Sequence, residues 1–94
     1  MELSRKKRRT LAKNAHNLNP VVMIGHAGLT DGVVDATDVA LERHELIKVR
    51  FQAHKESKRE ISGELSTRLS CDIVQIVGNV VTLYRERSEP LVSM

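Results

Sequence analysis

The chain has few aromatic residues: Phe51 and Tyr84 are the only two among its 94 residues, and tryptophan is absent. A core must therefore be built mainly from Val, Ile and Leu, and 40% hydrophobic residues suffice for one modest core. The lack of aromatic rings also argues against recognition of nucleic acid by stacking of splayed bases. We expect residues 1–94 to form a single domain, with a core over about residues 4–85 and a loose tail over 86–94.

Cysteine and long apolar runs are equally scarce. Cys71 is the only cysteine, so no intrachain disulfide can form, which suits a reducing compartment. No apolar stretch approaches the ~18 residues of a membrane span, and the N-terminus is too basic and too poor in apolar residues for a signal peptide. We expect a cytoplasmic monomer without a membrane partner.

Patterns typical of catalysis and of cofactor binding are also missing. Four histidines lack metal-ligand spacing and have no cysteine partner within a local motif: His16, His26, His44 and His54. The glycine-rich stretch has neither the Lys-Ser/Thr of a phosphate-binding Walker loop nor the pattern G-x-G-x-x-G. We predict no catalytic residue, metal, cofactor or small-molecule substrate. An enzyme that uses Cys71 or a histidine is kept as a hypothesis, although no adjacent base is visible.

Positive charge is concentrated at one end of the chain. The formal net charge is +3, but residues 1–20 carry six basic residues and only Glu2, a local charge of +5, while the other 74 residues sum to −2. A charge excess at one end indicates a polyanionic partner there, with a solvated basic tail as the alternative.

A basic helix accounts for this charge. Ser4 is a suitable N-cap for a helix that runs to about Ala15 or His16. Four of its cations form a stripe: Arg5, Arg9 and Lys13, four apart, with Lys6 beside them. Like charges at that spacing oppose helix formation by a few tenths of a kcal/mol per pair. The stripe is easier to understand if an anion neutralises it.

Hydrophobic periodicity predicts the element order α-β-α-β-α-β-β. The predicted elements are the basic helix, a strand over Val21–Ile24, a helix from the cap Thr30 to about Arg43, a strand in "ELIKVRF", a helix over about Lys55–Ser70, and a hairpin in "DIVQIVGNVVTLYR" that turns at Gly78-Asn79. The first strand is apolar on both faces, which predicts a central position. Helical crossovers imply parallel pairing of the early strands, and the hairpin is antiparallel. The fold class is therefore α/β, a four-stranded mixed sheet packed with three helices.

The second helix is predicted to be acidic on its outer side. Its carboxylates recur along one stripe: Asp31, Asp35, Asp38 and Glu42. This stripe should be solvated and face away from any nucleic acid. On the apolar side of this helix, Val39 and Ala40 are the expected core residues.

The stretch "VVMIGHAGLTDG" places three of the five glycines within eight residues, directly after the first strand. Its G-x-x-G, Gly25 to Gly28, is either a tight turn or a loop whose backbone amides bind an anion at a helix start. A G-x-x-G that clamps a nucleic-acid backbone is the device of KH domains. Because Ala27 is uncharged, we expect a close backbone contact here, with the charge supplied by the first helix. His26 is expected to be exposed, either as a hydrogen-bond donor to a phosphate or as a merely tolerated surface residue.

Lys48 and Arg50 share one face of the second strand. They either extend the basic surface or are solvated residues of an edge strand. With so few aromatic residues, recognition through phosphates and RNA shape fits better than single-strand readout.

Three stretches, "LNPVVMIGHAGLT", "ALERHELIKVR" and "VGNVVTLYR", together with the basic first helix, resemble the CRM-domain family (chloroplast RNA splicing and ribosome maturation), in its bacterial single-domain YhbY form. The resemblance covers about residues 4–85. It implies an α/β fold similar to the C-terminal domain of a bacterial translation initiation factor, and non-enzymatic binding to the RNA of large-ribosomal-subunit precursors. The RNA-contacting residues that it implies are Arg5, Lys6, Arg9, Lys13, Gly25, His26, Ala27, Gly28, Leu29, Thr30, Lys48 and Arg50.

Other function classes stay open. The chain could be a protein-interaction module that docks a partner through the acidic second helix or through the tail residues Leu91 and Val92. DNA binding is a minor alternative, because no recognition-helix motif is visible.

Overall fold

The computed structural model describes residues 3–87, which form three helices and four strands in the predicted order. The elements are α1 (Arg5–Ala15), β1 (Val22–Ile24), α2 (Asp31–His44), β2 (Leu46–Phe51), a 3-10 turn (Lys55–Ser57), α3 (Lys58–Leu69), β3 (Asp72–Val77) and β4 (Val80–Tyr84). The predicted fold class, a mixed four-stranded sheet packed with three helices, is confirmed.

The strands lie in the order β1-β2-β4-β3. β1 pairs with β2 in parallel, and β4 is antiparallel to both β2 and β3. β3 therefore runs in the same direction as β1 and β2 but is separated from β2 by β4. The predicted parallel pairing holds for β1 and β2, and the predicted hairpin joins β3 to β4 through Gly78, whose φ is +58°.

The prediction that the first strand is central was wrong, because β1 forms one edge of the sheet. Its inward side chains, Val22 and Ile24, are buried, whereas Met23 is 44% exposed and the preceding Val21 is 53% exposed. A run that is apolar on both faces resembles a buried strand. Here the outer face of the short strand is left largely uncovered.

The core lies between one sheet face and the helices α2 and α3. Phe51, Ile47 and Val49 of β2 pack with Leu41 of α2 and Leu65 of α3. α1 packs on the opposite face, where Leu11 and Ala15 are buried. The sheet thus separates α1 from the other two helices, in three layers.

Within α2, Ala40 is buried as predicted, but Val39 is 53% exposed. The buried side of α2 includes Thr37, which is fully buried. Its hydroxyl donates to the Val33 carbonyl at 2.7 Å. Because Val39 is about 200° around the helix from Thr37, it must point outward. A threonine whose hydroxyl is hydrogen-bonded within its own helix can replace an aliphatic residue in the core.

Side-chain caps begin α1 and α2 as predicted. The Ser4 hydroxyl accepts the Lys7 N–H at 3.0 Å, and the Thr30 hydroxyl accepts the Val33 N–H at 3.1 Å. Such caps contribute about 1 kcal/mol each. Thr30 therefore sets the point at which the glycine-rich loop ends and α2 begins.

The segment after β4 is held against α2. Arg85, with a side chain only 17% exposed, donates to the Asp38 carboxylate at 2.8 Å, to the Glu42 carboxylate at 3.2 Å and to the Leu69 carbonyl at 3.0 Å. The Arg87 N–H donates to the Glu45 carboxylate at 2.9 Å. Arg85 and Arg87 are therefore held against α2, and the rest of the predicted tail, residues 88–94 with Leu91 and Val92, lies outside the described residues.

Arg85→Gln should lower the free energy of unfolding by about 2 kcal/mol, because several charge-assisted hydrogen bonds at a half-buried site are removed together. Arg68→Gln is the matched control, since Arg68 makes one exposed pair with Glu64 at 3.4 Å and should cost about 0.3–0.5 kcal/mol. Urea denaturation of the two variants checks this. Equal losses of stability would show that Arg85 is no more than a surface ion pair.

Candidate nucleic-acid interface

The G-x-x-G loop is a hydrogen-bonded turn between β1 and α2. The Gly28 N–H donates to the Gly25 carbonyl at 3.0 Å, and the Thr30 N–H donates to the Gly28 carbonyl at 3.0 Å. Gly28 has φ of +76°, a conformation that side chains rarely adopt, so the turn itself favours a glycine there. Gly25 has no such φ, and a Cβ built on it would meet no described atom within 4 Å. The fold therefore accounts for Gly28 but leaves the backbone at Gly25 open.

His54 supports this loop from the β2–α3 connection. Its Nε2 atom lies 2.8 Å from the His26 carbonyl oxygen, and because a carbonyl only accepts, Nε2 carries the proton. The same ring lies 3.6 Å from where a Cβ on Gly28 would stand. His54 itself has left-handed backbone, with φ of +56°. This role was not predicted from the sequence, since the contact joins residues 28 positions apart.

The parallel pairing of β1 and β2 is what brings His54 to the loop. Both strands end at the same edge of the sheet, and the N–H groups of Gln52 and Ala53 donate to the Ile24 carbonyl at 2.9 and 3.2 Å. That topology is the only signal that would have pointed to His54, because its local sequence context gives none.

The six loop residues predicted from the sequence have different environments. His26 and Ala27 are exposed, and Gly28 is buried. Leu29 packs against the core, and Thr30 caps α2. The loop therefore offers a ligand its backbone and the side chains of His26 and Ala27, while Leu29 anchors it to the protein.

The predicted basic stripe is exposed on α1. Its residues, Arg5, Lys6, Arg9 and Lys13, form no ion pair with a carboxylate anywhere in residues 3–87. The two other cations of the helix serve the fold. Lys7 lies 5.5 Å from the centre of the Tyr84 ring, and Arg8 donates to the carbonyls of Ile73 and Val74 at the bulge in β3. The stripe is therefore the unneutralised part of the helix.

Lys48 and Arg50 lie on the sheet face that carries α1. β2 is an inner strand, so the interpretation of these two residues as edge-strand positions was wrong. The Lys48 ammonium lies 3.5 Å from the His16 carbonyl at the end of α1. Arg50 is exposed and lies in register between Met23 and Val80.

One flank of α1 faces this open part of the sheet. Ala12 and His16 line a groove together with Lys48. Residues at intervals of three, four and seven share a helix flank, so Arg5 and Arg9 lie on the same flank as Ala12 and His16. The structure therefore joins α1 to Lys48 and Arg50 in one basic surface, which we call the α1 surface. The glycine loop lies at the carboxyl edge of the same sheet.

The acidic stripe lies on the opposite side of the sheet, on α2. Two of its carboxylates, Asp38 and Glu42, bind Arg85. The acidic stripe of α2 and the basic stripe of α1 thus lie on opposite sides of the sheet, so the carboxylates of α2 do not neutralise the α1 surface.

A model of the CRS1 / YhbY (CRM) domain family matches residues 3–85 of this chain. The chain belongs to this family. Its relatives include a Haemophilus influenzae protein named RNA-binding protein, 40% identical over 98% of this chain and 94% of the relative. Another is the Bacillus subtilis probable RNA-binding protein YqeI, 35% identical over 93% of this chain and 92% of the relative.

A solution structure from Staphylococcus aureus shares the fold of this CRM domain. It superposes with a TM-score of 0.80 at 35% identity, and the aligned region covers 94% of this chain and 93% of the Staphylococcus aureus chain. The three-layer arrangement is therefore seen in an experimental structure of a related chain.

Neither a metal cluster nor a membrane-spanning helix is found among residues 3–87 of this CRM domain. Cys71 is buried, and burial raises the pKa of its thiol to about 11. Its sulfur lies 3.8 Å from the Leu65 carbonyl, to which the thiol donates. A thiol held in the protonated form inside a core is unsuited to act as a nucleophile.

His54→Asn should loosen the glycine loop without unfolding the protein. Asparagine tolerates left-handed backbone but is too short to reach the His26 carbonyl. Removal of one hydrogen bond of about 1 kcal/mol should speed amide exchange at Gly28 and Thr30 about fivefold. His54→Gln, which restores a long donor, is the control. Unchanged exchange in His54→Asn would show that His54 does not position the loop.

Cys71 should react slowly with iodoacetamide at pH 8. Raising the thiol pKa from 9.0 to about 11 lowers the thiolate fraction about 100-fold, and burial slows access further. Alkylation rates of the folded protein and of the protein in urea, followed by mass spectrometry, test this. Equal rates would contradict the buried, protonated thiol.

Proposed function

We propose that this protein binds structured RNA, without catalysis, through contacts to phosphates on the α1 surface. The observation that carries the proposal is the set of exposed cations on α1 that no described carboxylate neutralises. Lys48 and Arg50 extend this charge onto the sheet. Such a surface binds a nucleic acid because its cations displace the counterions that are condensed on the phosphates. Two relatives are named RNA-binding protein and probable RNA-binding protein, and these names support RNA as that nucleic acid.

The glycine loop is proposed to hold a phosphate group close to the backbone. The open space above Gly25 permits close approach, and His26 and Ala27 are exposed at the tip. The loop leads into the start of α2, where N–H groups and the helix dipole favour an anion. The α1 surface supplies attraction over a distance, and the loop supplies a short-range contact.

The proposed RNA is ribosomal RNA in precursors of the large subunit, with the protein acting as a cytoplasmic, monomeric assembly factor. The resemblance of the leading helix, the loop and the closing hairpin to the CRM-domain family supports this choice. Ribosomal precursors also offer the folded, phosphate-dense RNA that a rigid basic surface fits.

The protein-interaction alternative is less favoured by the contacts within the chain. It relies on the acidic stripe of α2, and the Arg85 side chain already binds Asp38 and Glu42. A partner would have to compete with an intramolecular arginine for these carboxylates. Its other proposed element, the tail with Leu91 and Val92, lies outside the described residues.

The triple variant Arg5→Gln, Arg9→Gln, Lys13→Gln should bind RNA at least about tenfold more weakly at moderate salt. The slope of log affinity against log salt should fall by about one for each phosphate that the variant no longer neutralises. The control is Arg43→Gln, Arg59→Gln, Arg68→Gln, which removes the same charge from α2 and α3. Titration of a folded ribosomal RNA fragment measures both. If both triple variants bind equally weakly, only net charge matters and the α1 surface is not the binding site.

The ribosomal assignment has its own test. In a gradient-sedimented lysate the protein should migrate with large-subunit precursors, and nuclease treatment should release it. A position only at the top of the gradient would contradict the assembly role while leaving RNA binding in place.

A further inference from the structure

α1 covers only part of its sheet face and leaves a groove beside it. The groove has a volume of about 290 Å³. Its wall is formed by Ala12, His16 and Pro20, and its floor by Gln75, Val80 and Thr82. This volume lies just below the range for small-molecule pockets, about 300–1,000 Å³. The groove therefore fits one ring system rather than a long segment.

The groove continues into an exposed row of side chains across all four strands. Met23, Arg50, Val80 and Val77 are paired in register, so their side chains lie on the same face of the sheet. Met23 is 44% exposed and Val77 is 63% exposed. An arginine placed between exposed apolar side chains offers both a flat apolar surface and a planar cation.

The residues that line the groove are chemically compatible with a nucleotide. A nucleobase has apolar faces and a polar edge; the floor offers the apolar Val80, and the Gln75 amide can both donate and accept. Lys48 also lines the groove and Arg50 lies in the adjoining row, where each can meet a phosphate. No carboxylate lies among the lining residues.

We propose that this groove binds a single unpaired nucleotide of the RNA, bulged or looped out from a helix. The proposal rests on the proposed function and narrows its substrate class from structured RNA to RNA helices with an extruded nucleotide. The base occupies the groove against Val80 and Gln75, and the flanking phosphates bind Lys48 and Arg50. Arg5 and Arg9, on the same flank of α1 as the groove wall, hold the adjoining helix.

Charge decides between RNA and a protein as the occupant. An exposed apolar row by itself fits either. The cations around this row, Lys48 and Arg50, carry no carboxylate partner within residues 3–87, and the row is continuous with the α1 surface. A polyanion with flat apolar groups satisfies both properties, and an RNA helix with one extruded nucleotide is such a partner.

The test compares an RNA stem with one bulged uridine and the same stem fully paired. The wild-type protein should bind the bulged stem five- to tenfold more tightly. Gln75→Leu, which removes the amide, and Ala12→Leu, which fills the groove, should each abolish that preference. Asn14→Leu, on the flank of α1 away from the groove, should retain it. The triple variant of Arg5, Arg9 and Lys13 should weaken both complexes alike and keep their ratio.

A second measurement does not depend on variants. In the wild-type protein, the NMR signals of the Gln75 side-chain amide and of Thr82 should shift with the bulged stem and not with the paired one. Equal wild-type binding to both stems, or a preference that survives in both groove variants, would overturn the proposal and leave the proposed function standing. Binding to neither stem would remove both. A dimer of the free protein that is abolished in Val77→Ser would assign the exposed row to a second copy and also overturn the proposal.

Discussion

The parallel pairing of β1 with β2 is the constraint on which the candidate interface depends. The register joins Val22 to Val49 and Ile24 to Phe51, so both strands end at the same edge of the sheet. That edge carries the glycine loop after β1 and His54 after β2. Without this pairing the His26 carbonyl would lose its donor, and Met23 and Arg50 would not be neighbours. One short parallel ladder therefore determines the position of both the glycine loop and the exposed row.

Local chemistry made much of the fold predictable. Ser4 and Thr30 are caps because their hydroxyls reach N–H groups three residues on, and Gly78 permits the hairpin because it adopts positive φ. Each of these contacts lies within a few residues of its partner. The basic stripe was predictable for the same reason, since helical spacing alone places its members on one side.

Apart from Val39, whose outward position follows from the buried Thr37 in the same helix, the errors and omissions involve distant residues. β1 was expected at the centre because its composition is apolar, but the strand order depends on where β4 inserts. His54 contacts a residue 28 positions away, and Arg85 binds Asp38 across 47 positions. A single sequence carries no signal for such pairs. Two arginines illustrate the difference. Arg85 lies within reach of two carboxylates and stabilises the fold. Arg5 has no carboxylate partner among the described residues and is available to a ligand.

The insertion of β4 between β2 and β3 has a consequence for how the chain acquires its structure. β4 is the last of the described strands, yet it is an inner strand and pairs on both sides. Until it is in place, β3 has no partner and β2 has only the short β1. The sheet therefore cannot be completed before its last strand has left the ribosome, because the ladder between β2 and β4 joins distant segments, Leu46–Arg50 and Val80–Tyr84. Folding of this domain is expected to be a late, concerted event, with the apolar residues of β1–β3 unprotected in the nascent chain until Val80–Tyr84 have emerged.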